Sequence, residues 1–154
     1  MIEKYIKNKI GIIYPATQKN IKTLKKRKKP VFVKYITYDK SKNATKLRPG
    51  DFLLLYVSQM NKSITHYSKI SSVSFKSCDK IMRYYLYRIQ MNKNEFKEYV
   101  QDRKNKLLLF LELEKLTELK KQYFANYPIT MSGKYVSESD LYCIIGKVGR
   151  NDKL

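Results

Sequence analysis

Residues 46–58 read Lys-Leu-Arg-Pro-Gly-Asp-Phe-Leu-Leu-Leu-Tyr-Val-Ser, a turn followed directly by an apolar run. Pro49 fixes its own φ and Gly50 adopts backbone angles that other residues avoid, so Pro-Gly-Asp is turn chemistry. The six apolar residues that follow are too few for an ordinary helix, and polar residues bound them at both ends. They predict a strand that is buried on both faces or lines the interior of a barrel.

The next segment, residues 64–75, predicts a second strand that changes phase along its length. Ile64 and Ile70 share one parity of the alternating pattern, whereas Val73 and Phe75 share the other. A bulge or sharp coil near Ser71 would reconcile the two halves, as in strands that curve into a small barrel.

This pair of strands resembles the PUA-like superfamily, which includes the PUA, ASCH, EVE and YTH domains. The resemblance rests on LRPGDFLLLYVS followed by HYSKISSVSF, and then on NEFKEYVQDRKNKLLLFLELEKL and YPITMSGKYVSESDL, which resemble an archaeal family of unknown function within that superfamily. It covers about Ile10 to Ile145. The resemblance implies an α+β fold in which a small mixed or antiparallel β-barrel is flanked by several helices. It also implies binding of RNA or of a modified base, which is common in this superfamily, in a cleft beside the central hairpin.

The length of 154 residues predicts one domain, 1–154, with a core over about 8–146 and a loose tail at 147–154. The chain has no run near the roughly 18 apolar residues of a membrane helix. Its first residues lack the apolar core of a signal peptide, so we expect a cytoplasmic protein without a membrane partner. Cys78, Cys143 and one histidine are too few for a structural zinc site, and we expect neither a metal nor a cofactor.

Positive charge is concentrated in the first third of the chain. The whole sequence has 33 basic and 13 acidic residues, and residues 1–50 alone have 15 basic and 2 acidic ones. A polyanionic partner is the natural physical interpretation, because neutralising phosphates releases counterions. Solvated lysines from a lysine-rich composition are the alternative.

Hydrophobic patterns and capping residues predict the remaining elements. We expect strands at residues 10–14, 31–38, 85–91, 107–113 and 129–131. We expect helices from Thr17 to about Lys28, from Asn92 or Asn94 to about Arg103, over 116–123, and from the capping box at 137–140 to about Ile145.

Candidate binding residues fall into two groups. Phosphate contacts are expected from the cation run at the C-terminal end of the first helix and from one arginine beside the Pro-Gly-Asp turn: Lys25, Lys26, Arg27, Lys28, Lys29 and Arg48. A base-binding cleft is expected from residues of the strands and from a short polar loop: Lys34, Tyr35, Tyr56, Ser58, His66, Tyr67, Thr130, Ser132, Lys134 and Tyr135.

The expected function is RNA binding, with one flipped or modified base held in the cleft and with DNA as an alternative partner. Catalytic motifs are missing from the sequence. An amidohydrolase or ribonuclease stays open as an alternative, because Lys34, Thr130 and Glu112 supply the residue types that some ASCH-type proteins use. A basic protein-interaction or ribosome-docking module is a further alternative, and the oligomeric state is open between a monomer and a weak dimer.

Overall fold

A computed structural model describes residues 6–35, 45–58, 62–103, 105–125 and 127–146. In chain order its elements are β1 (Gly11–Pro15), α1 (Gln18–Lys26), β2 (Val31–Tyr35), β3 (Phe52–Val57), β4 (Ser63–Ser77), α2 (Cys78–Tyr84), α3 (Lys93–Val100), β5 (Leu107–Leu113), β6 (Thr117–Tyr123), β7 (Lys134–Val136), α4 (Glu138–Leu141) and a π-helical turn (Tyr142–Gly146).

The strands form a mixed seven-stranded sheet in the order β2-β5-β4-β3-β1-β7, with β6 paired to β4. The pair β1–β3 is parallel, and the other pairs are antiparallel. Helices pack on this sheet, so the structure confirms the α+β class and the pseudo-barrel that the sequence predicts.

The Pro-Gly-Asp turn ties the start of β3 to the start of β1. Gly50 has φ +99°, the left-handed region that favours glycine. The buried Asp51 carboxylate accepts hydrogen bonds from the Ile10 amide at 3.1 Å and the Arg48 amide at 2.8 Å. This one side chain therefore closes its own turn and fixes the entry to the neighbouring strand.

β4 is the longest strand, and it bends where the sequence predicts a bulge. Its register against β5 shifts between Ile70 and Ser72. The half before the shift pairs with β3 and β6, and the half after it pairs with β5. The two halves thus belong to differently oriented parts of the sheet, which curves as in a small barrel.

Three apolar clusters make the core, and β2 separates two of them. Phe32 packs in the cluster that α1 covers, together with residues of β1, β3 and β5. Val31 and Val33 pack on the other side with residues of α2 and α3. A third cluster lies beneath α4 and the π-helical turn and includes Leu54 of β3.

The strand predicted at 85–91 is wrong, because the segment forms a turn whose backbone pairs with β2 at only one point. Ile89 bridges to Val31, whose amide donates to the Arg88 carbonyl at 2.8 Å. The Arg27 guanidinium donates to the carbonyls of Leu86, Ile89 and Met91 at 3.1–3.4 Å. This arginine therefore binds three carbonyls that a strand would use in a ladder.

Three other predicted elements near the C-terminus differ from the structure. The helix predicted over 116–123 is the strand β6, since the outer edge of β4 takes it up as a partner. The segment 129–131 is irregular, and the nearby strand is β7. The last helix does have Ser137 as its N-cap, but it is α-helical only over Glu138–Leu141 and continues as the π-helical turn.

Some predictions lie outside the described residues, namely the continuation of β2 to residue 38, most of the loop after it, and the tail at 147–154. Within the described ranges, no helix is long and apolar enough to cross a membrane.

Candidate nucleic-acid interface

Lys34 of β2 and Tyr14 of β1 lie side by side inside the fold, and these two buried side chains are together called the recess. The Lys34 ammonium lies 5.7 Å from the centroid of the Tyr14 ring, and that ring stacks on Phe32 with centroids 5.7 Å apart. Both Lys34 and Tyr14 are buried. Because Lys34 points away from Val33 and into the α1-covered side of β2, it lies inside the fold rather than on its surface.

The turn at residues 130–133 closes one side of this recess. Gly133 has φ +77°, and a Cβ added there would lie 2.6 Å from Cε1 of Tyr14. The Gly133 amide donates to the Thr130 carbonyl at 2.9 Å, which shapes the turn. Thr130 and Ser132 themselves are exposed. The structure therefore brings the predicted polar loop to the recess that holds Lys34.

Burial controls the protonation of the recess. It lowers the pKa of Lys34, and Arg103 lowers it further. It raises the pKa of the Tyr14 phenol, with smaller contributions from Tyr135 and Tyr99. No carboxylate of the described residues forms an ion pair with Lys34. The recess thus combines a neutral phenol with an unusually acidic ammonium group.

Tyr135 forms the exposed rim next to this recess. It is 40% exposed, its hydroxyl lies 3.0 Å from Oγ1 of Thr45, and the Lys46 ammonium lies 5.4 Å from its ring centroid. An exposed aromatic ring with a cation beside it is suited to stacking on a base.

Tyr35 is not part of the recess, because strand alternation turns it to the other side of β2. Its hydroxyl donates to the Arg103 carbonyl at 2.9 Å, and its ring stacks on Tyr99 at 5.1 Å between centroids. Burial, followed by the hydrogen bond with Cys78, raises the pKa of Tyr35. This tyrosine supports the α2–α3 side of the core.

Three more predicted cleft residues lie on the opposite face of the sheet from the recess. Tyr56 and Tyr67 pack against the third core cluster, and the Lys134 ammonium lies 4.5 Å from the Tyr127 ring centroid. Ser58 is exposed just after β3. The structure therefore divides the predicted cleft residues between two faces.

The residues that the hydrolase alternative requires are also separated. In the β2–β5 ladder Lys34 is the partner of Leu109, whereas Glu112 is the partner of Val31. Lys34 and Glu112 thus lie three positions apart along the ladder and on opposite faces. Glu112 pairs instead with Arg88 at 2.8 Å, and the hydrogen bond from Arg88 lowers its pKa.

The cation run at the C-terminal end of α1 borders a groove of about 780 Å³. The opposite wall is the bend between β5 and β6. The groove is lined by six basic residues, Lys25, Arg27, Lys28, Lys29, Arg88 and Lys115, and by three acidic ones, Glu112, Glu114 and Glu118.

Not every cation in the groove is available to a ligand. Arg27 binds backbone carbonyls, Arg88 pairs with Glu112, and Lys25 pairs with Glu118 at 3.3 Å. The exposed lysines Lys28, Lys29 and Lys115 form no ion pair with a described carboxylate. Of the other predicted phosphate contacts, Lys26 is exposed outside the groove, and Arg48 donates to the carbonyls of Thr45 and Leu47 at 3.0 Å.

His66 lies on β4, away from the Lys34 recess. It lines a smaller pocket of about 270 Å³ between α1 and β6. Burial and the charge of Lys25 lower the pKa of this histidine, while Glu118 raises it.

Sequence reasoning missed Tyr14, Arg103 and Lys115 as parts of these surfaces. The sequence pattern places Tyr14 only at the end of the strand predicted at 10–14. In sequence, Arg103 precedes Lys104 in a polar stretch, and Lys115 is a single cation between Glu114 and Leu116. Only the three-dimensional structure brings them beside the other residues.

Comparisons with known proteins agree with this fold. The model of a domain of unknown function, DUF365, matches residues 9–138. The structure of ASCH from Zymomonas mobilis has a TM-score of 0.67 at 10% identity, over 88% of this chain and 94% of that chain. A serine-to-alanine mutant of that ASCH protein has a TM-score of 0.70 at 8% identity, over 89% of this chain and 95% of the mutant's. The likeness confirms the predicted ASCH-type fold, and no curated protein matches the sequence.

Proposed function

This chain belongs to the DUF365 family of domains of unknown function, and we propose that it is a nucleic-acid-binding module whose partner is RNA. One observation carries the proposal: a groove of about 780 Å³ is bordered by Lys28, Lys29 and Lys115, none of which is paired with a described carboxylate. Phosphates would neutralise these cations and release counterions. The ASCH-type fold supports the proposal at the level of the superfamily.

A single base occupies the recess beside Lys34 in this proposal. The exposed ring of Tyr135 would stack on the base, and the Tyr14 hydroxyl and the Lys34 amine would donate hydrogen bonds to its edge. The turn at 130–133 adds two exposed hydroxyls, from Thr130 and Ser132, at the side of the recess.

Fluorescence anisotropy with a labelled single-stranded RNA tests this proposal. Replacing Tyr135 with alanine removes an exposed ring without disturbing the core, and loss of one stacked base costs about 1–3 kcal/mol. We expect the affinity for RNA to fall by about 5- to 150-fold as a result. Tyr87→Ala is the matched control, because Tyr87 is a 69% exposed tyrosine that lines neither the groove nor the recess. Equal affinities of Tyr135→Ala and Tyr87→Ala would refute the base-stacking role.

A hydrolytic activity is a second candidate, which the environment of Lys34 favours. A buried amine with a lowered pKa is a better base or nucleophile at neutral pH than an ordinary lysine. Incubation with acylated nucleosides and with RNA, followed by mass spectrometry, tests this candidate. Product formation that persists in Lys34→Met would remove this lysine from the mechanism.

A further inference from the structure

The pocket beside His66 has polar walls from three elements. α1 contributes Gln18, Lys22 and Lys25, β4 contributes His66, and β6 contributes Glu118 and Gln122. The Ser63 hydroxyl donates to the Gln122 carbonyl oxygen at 3.2 Å, which leaves the amide nitrogen of Gln122 as a donor. Two lysines and an amide nitrogen thus surround a volume of about 270 Å³.

His66 forms a buried part of the wall of this pocket and has one ring nitrogen without a partner among the described residues. The residue is 7% exposed, and its Nδ1 lies 2.7 Å from Oγ1 of Thr65. Its Nε2 is buried and has no hydrogen-bond partner among the described residues. A buried polar atom without a partner costs about 1–3 kcal/mol, so its presence needs an explanation, and a bound molecule that supplies the partner is one.

The carboxylate of Glu118 shows where an anion would bind. Its Oε1 lies 3.3 Å from the Lys25 ammonium and 3.9 Å from Nε2 of His66. The latter distance is too long for a hydrogen bond. The Glu118 side chain is 67% exposed, so it can turn outward into solvent. An anionic oxygen that replaced it could approach both Lys25 and His66 more closely.

We propose that this pocket binds a phosphomonoester, and, as an extension of the proposed RNA binding, that its source is the terminal phosphate of an RNA strand. Nε2 of His66 is buried, so a group that reaches it needs a free end, which a phosphodiester inside a strand lacks. A phosphomonoester also has nearly two negative charges, which match Lys22 and Lys25. The phosphate displaces the Glu118 carboxylate and accepts a hydrogen bond from Nε2 of His66.

The charges around His66 couple the binding of phosphate to the protonation of its ring. Lys22 and Lys25 face the ring from α1 and Glu118 faces it from β6. The free protein disfavours the imidazolium, chiefly through burial and then through Lys25. A bound phosphate would stabilise the imidazolium, so protonation and phosphate binding support each other.

His66 is the only histidine of the chain, and its ring is therefore a unique NMR reporter. In ¹H–¹⁵N spectra of the wild-type protein, uridine 5′-monophosphate and inorganic phosphate should shift the His66 ring signals, whereas uridine should not. Unchanged signals at saturating uridine 5′-monophosphate would overturn the proposal.

Labelled RNA strands of one sequence, with 5′-phosphate, 3′-phosphate or only hydroxyl ends, identify the source of the phosphomonoester. We expect one of the two phosphorylated strands to bind about tenfold more tightly than the strand with hydroxyl ends, because a charge-assisted hydrogen bond contributes about 1.5 kcal/mol or more. Lys22→Gln should abolish this preference, and Lys97→Gln, an exposed lysine outside the pocket, should retain it.

Each remaining outcome has a separate meaning. Equal binding of all three strands, without a shift of His66, would refute the phosphate pocket but leave RNA binding standing. A His66 shift with uridine 5′-monophosphate but no RNA binding would support the phosphomonoester site and assign it to free nucleotides, against the proposed function. A shift with inorganic phosphate alone would overturn the RNA source and leave an anion site.

Discussion

Replacing Lys28, Lys29 and Lys115 with glutamine should weaken RNA binding in a salt-dependent way. These lysines are exposed in the groove and form no ion pair with a described carboxylate, so the change leaves no buried charge unpaired. Each phosphate contact adds about 0.7 to the slope of log affinity against log salt for a single strand. Losing all three contacts should therefore lower the slope by about 2.1.

The size of this effect can be read from two salt concentrations. When salt rises from about 50 to about 200 mM, the affinity of both proteins falls. The factor by which it falls should be about 18 times larger for the wild-type protein than for the triple variant. Fluorescence anisotropy with a labelled single-stranded RNA measures both slopes. Surface substitutions usually change stability by less than about 0.5 kcal/mol each, so the thermal transition should stay near that of the wild type.

A matched variant separates local contacts from net charge. Replacing Lys93, Lys97 and Lys106 with glutamine removes the same charge from exposed positions outside the groove. This control should retain most of the wild-type slope. If both triple variants lower the slope equally, the groove has no special role, and the assignment of phosphate contacts to it is refuted.

Three further substitutions test the fold and the recess. Gln90→Ala should lower the free energy of unfolding by about 1–3 kcal/mol, because the Gln90 side chain accepts a hydrogen bond from the Val33 amide at 3.0 Å and donates one to the Val33 carbonyl at 2.8 Å. An unchanged urea midpoint would contradict this. Gly133→Ala should lower the free energy of unfolding, measured with urea, by about 1–3 kcal/mol, because Gly133 has a positive φ and an added Cβ would contact Tyr14. An unchanged free energy of unfolding would mean that the turn can move. Lys34→Met should raise the melting temperature by about 2–4 °C at pH 7, because it removes a buried ammonium without a described carboxylate partner. The pKa of Lys34 is lower in the folded protein than the ordinary value of 10.5, so the stability of the wild-type protein rises with pH between these two values. The advantage of methionine should therefore shrink over this window. An advantage that does not change with pH would refute the charge argument.

The central hairpin could be predicted from sequence because its signals are local. The Pro-Gly-Asp turn, the apolar run of β3 and the change of phase in β4 each depend on residues within a few positions of one another. The register shift lies between Ile70 and Ser72, at the position where the sequence predicts the bulge. Local turn chemistry and alternation were sufficient there.

The segments that were predicted wrongly depend on distant partners. β6 is mostly exposed and has apolar residues at Leu119 and Tyr123, a spacing that also fits one face of a helix. Its extended form comes from pairing with β4, with His66 opposite Glu118. The turn at 85–91 likewise depends on Arg27, about sixty positions earlier in the chain.

The candidate site was only partly accessible to sequence reasoning. A lysine inside an apolar strand drew attention to Lys34, and the density of cations drew attention to the run that borders the groove. Which aromatic residues share a face with Lys34 depends on the order of β1, β3 and β7, which no local pattern specifies. For that reason Tyr14 was missed, and Tyr35 was placed with the wrong neighbours.

The salt dependence of RNA binding by the wild-type protein tests most directly whether the basic groove binds RNA. Anisotropy titrations of a labelled single-stranded RNA from about 50 to 200 mM salt should give a linear log–log plot with a slope steeper than about −2.1, the contribution of three phosphate contacts. A protein that fails to bind RNA at the lowest salt, or whose affinity does not change with salt, would contradict the claim that the basic groove binds RNA.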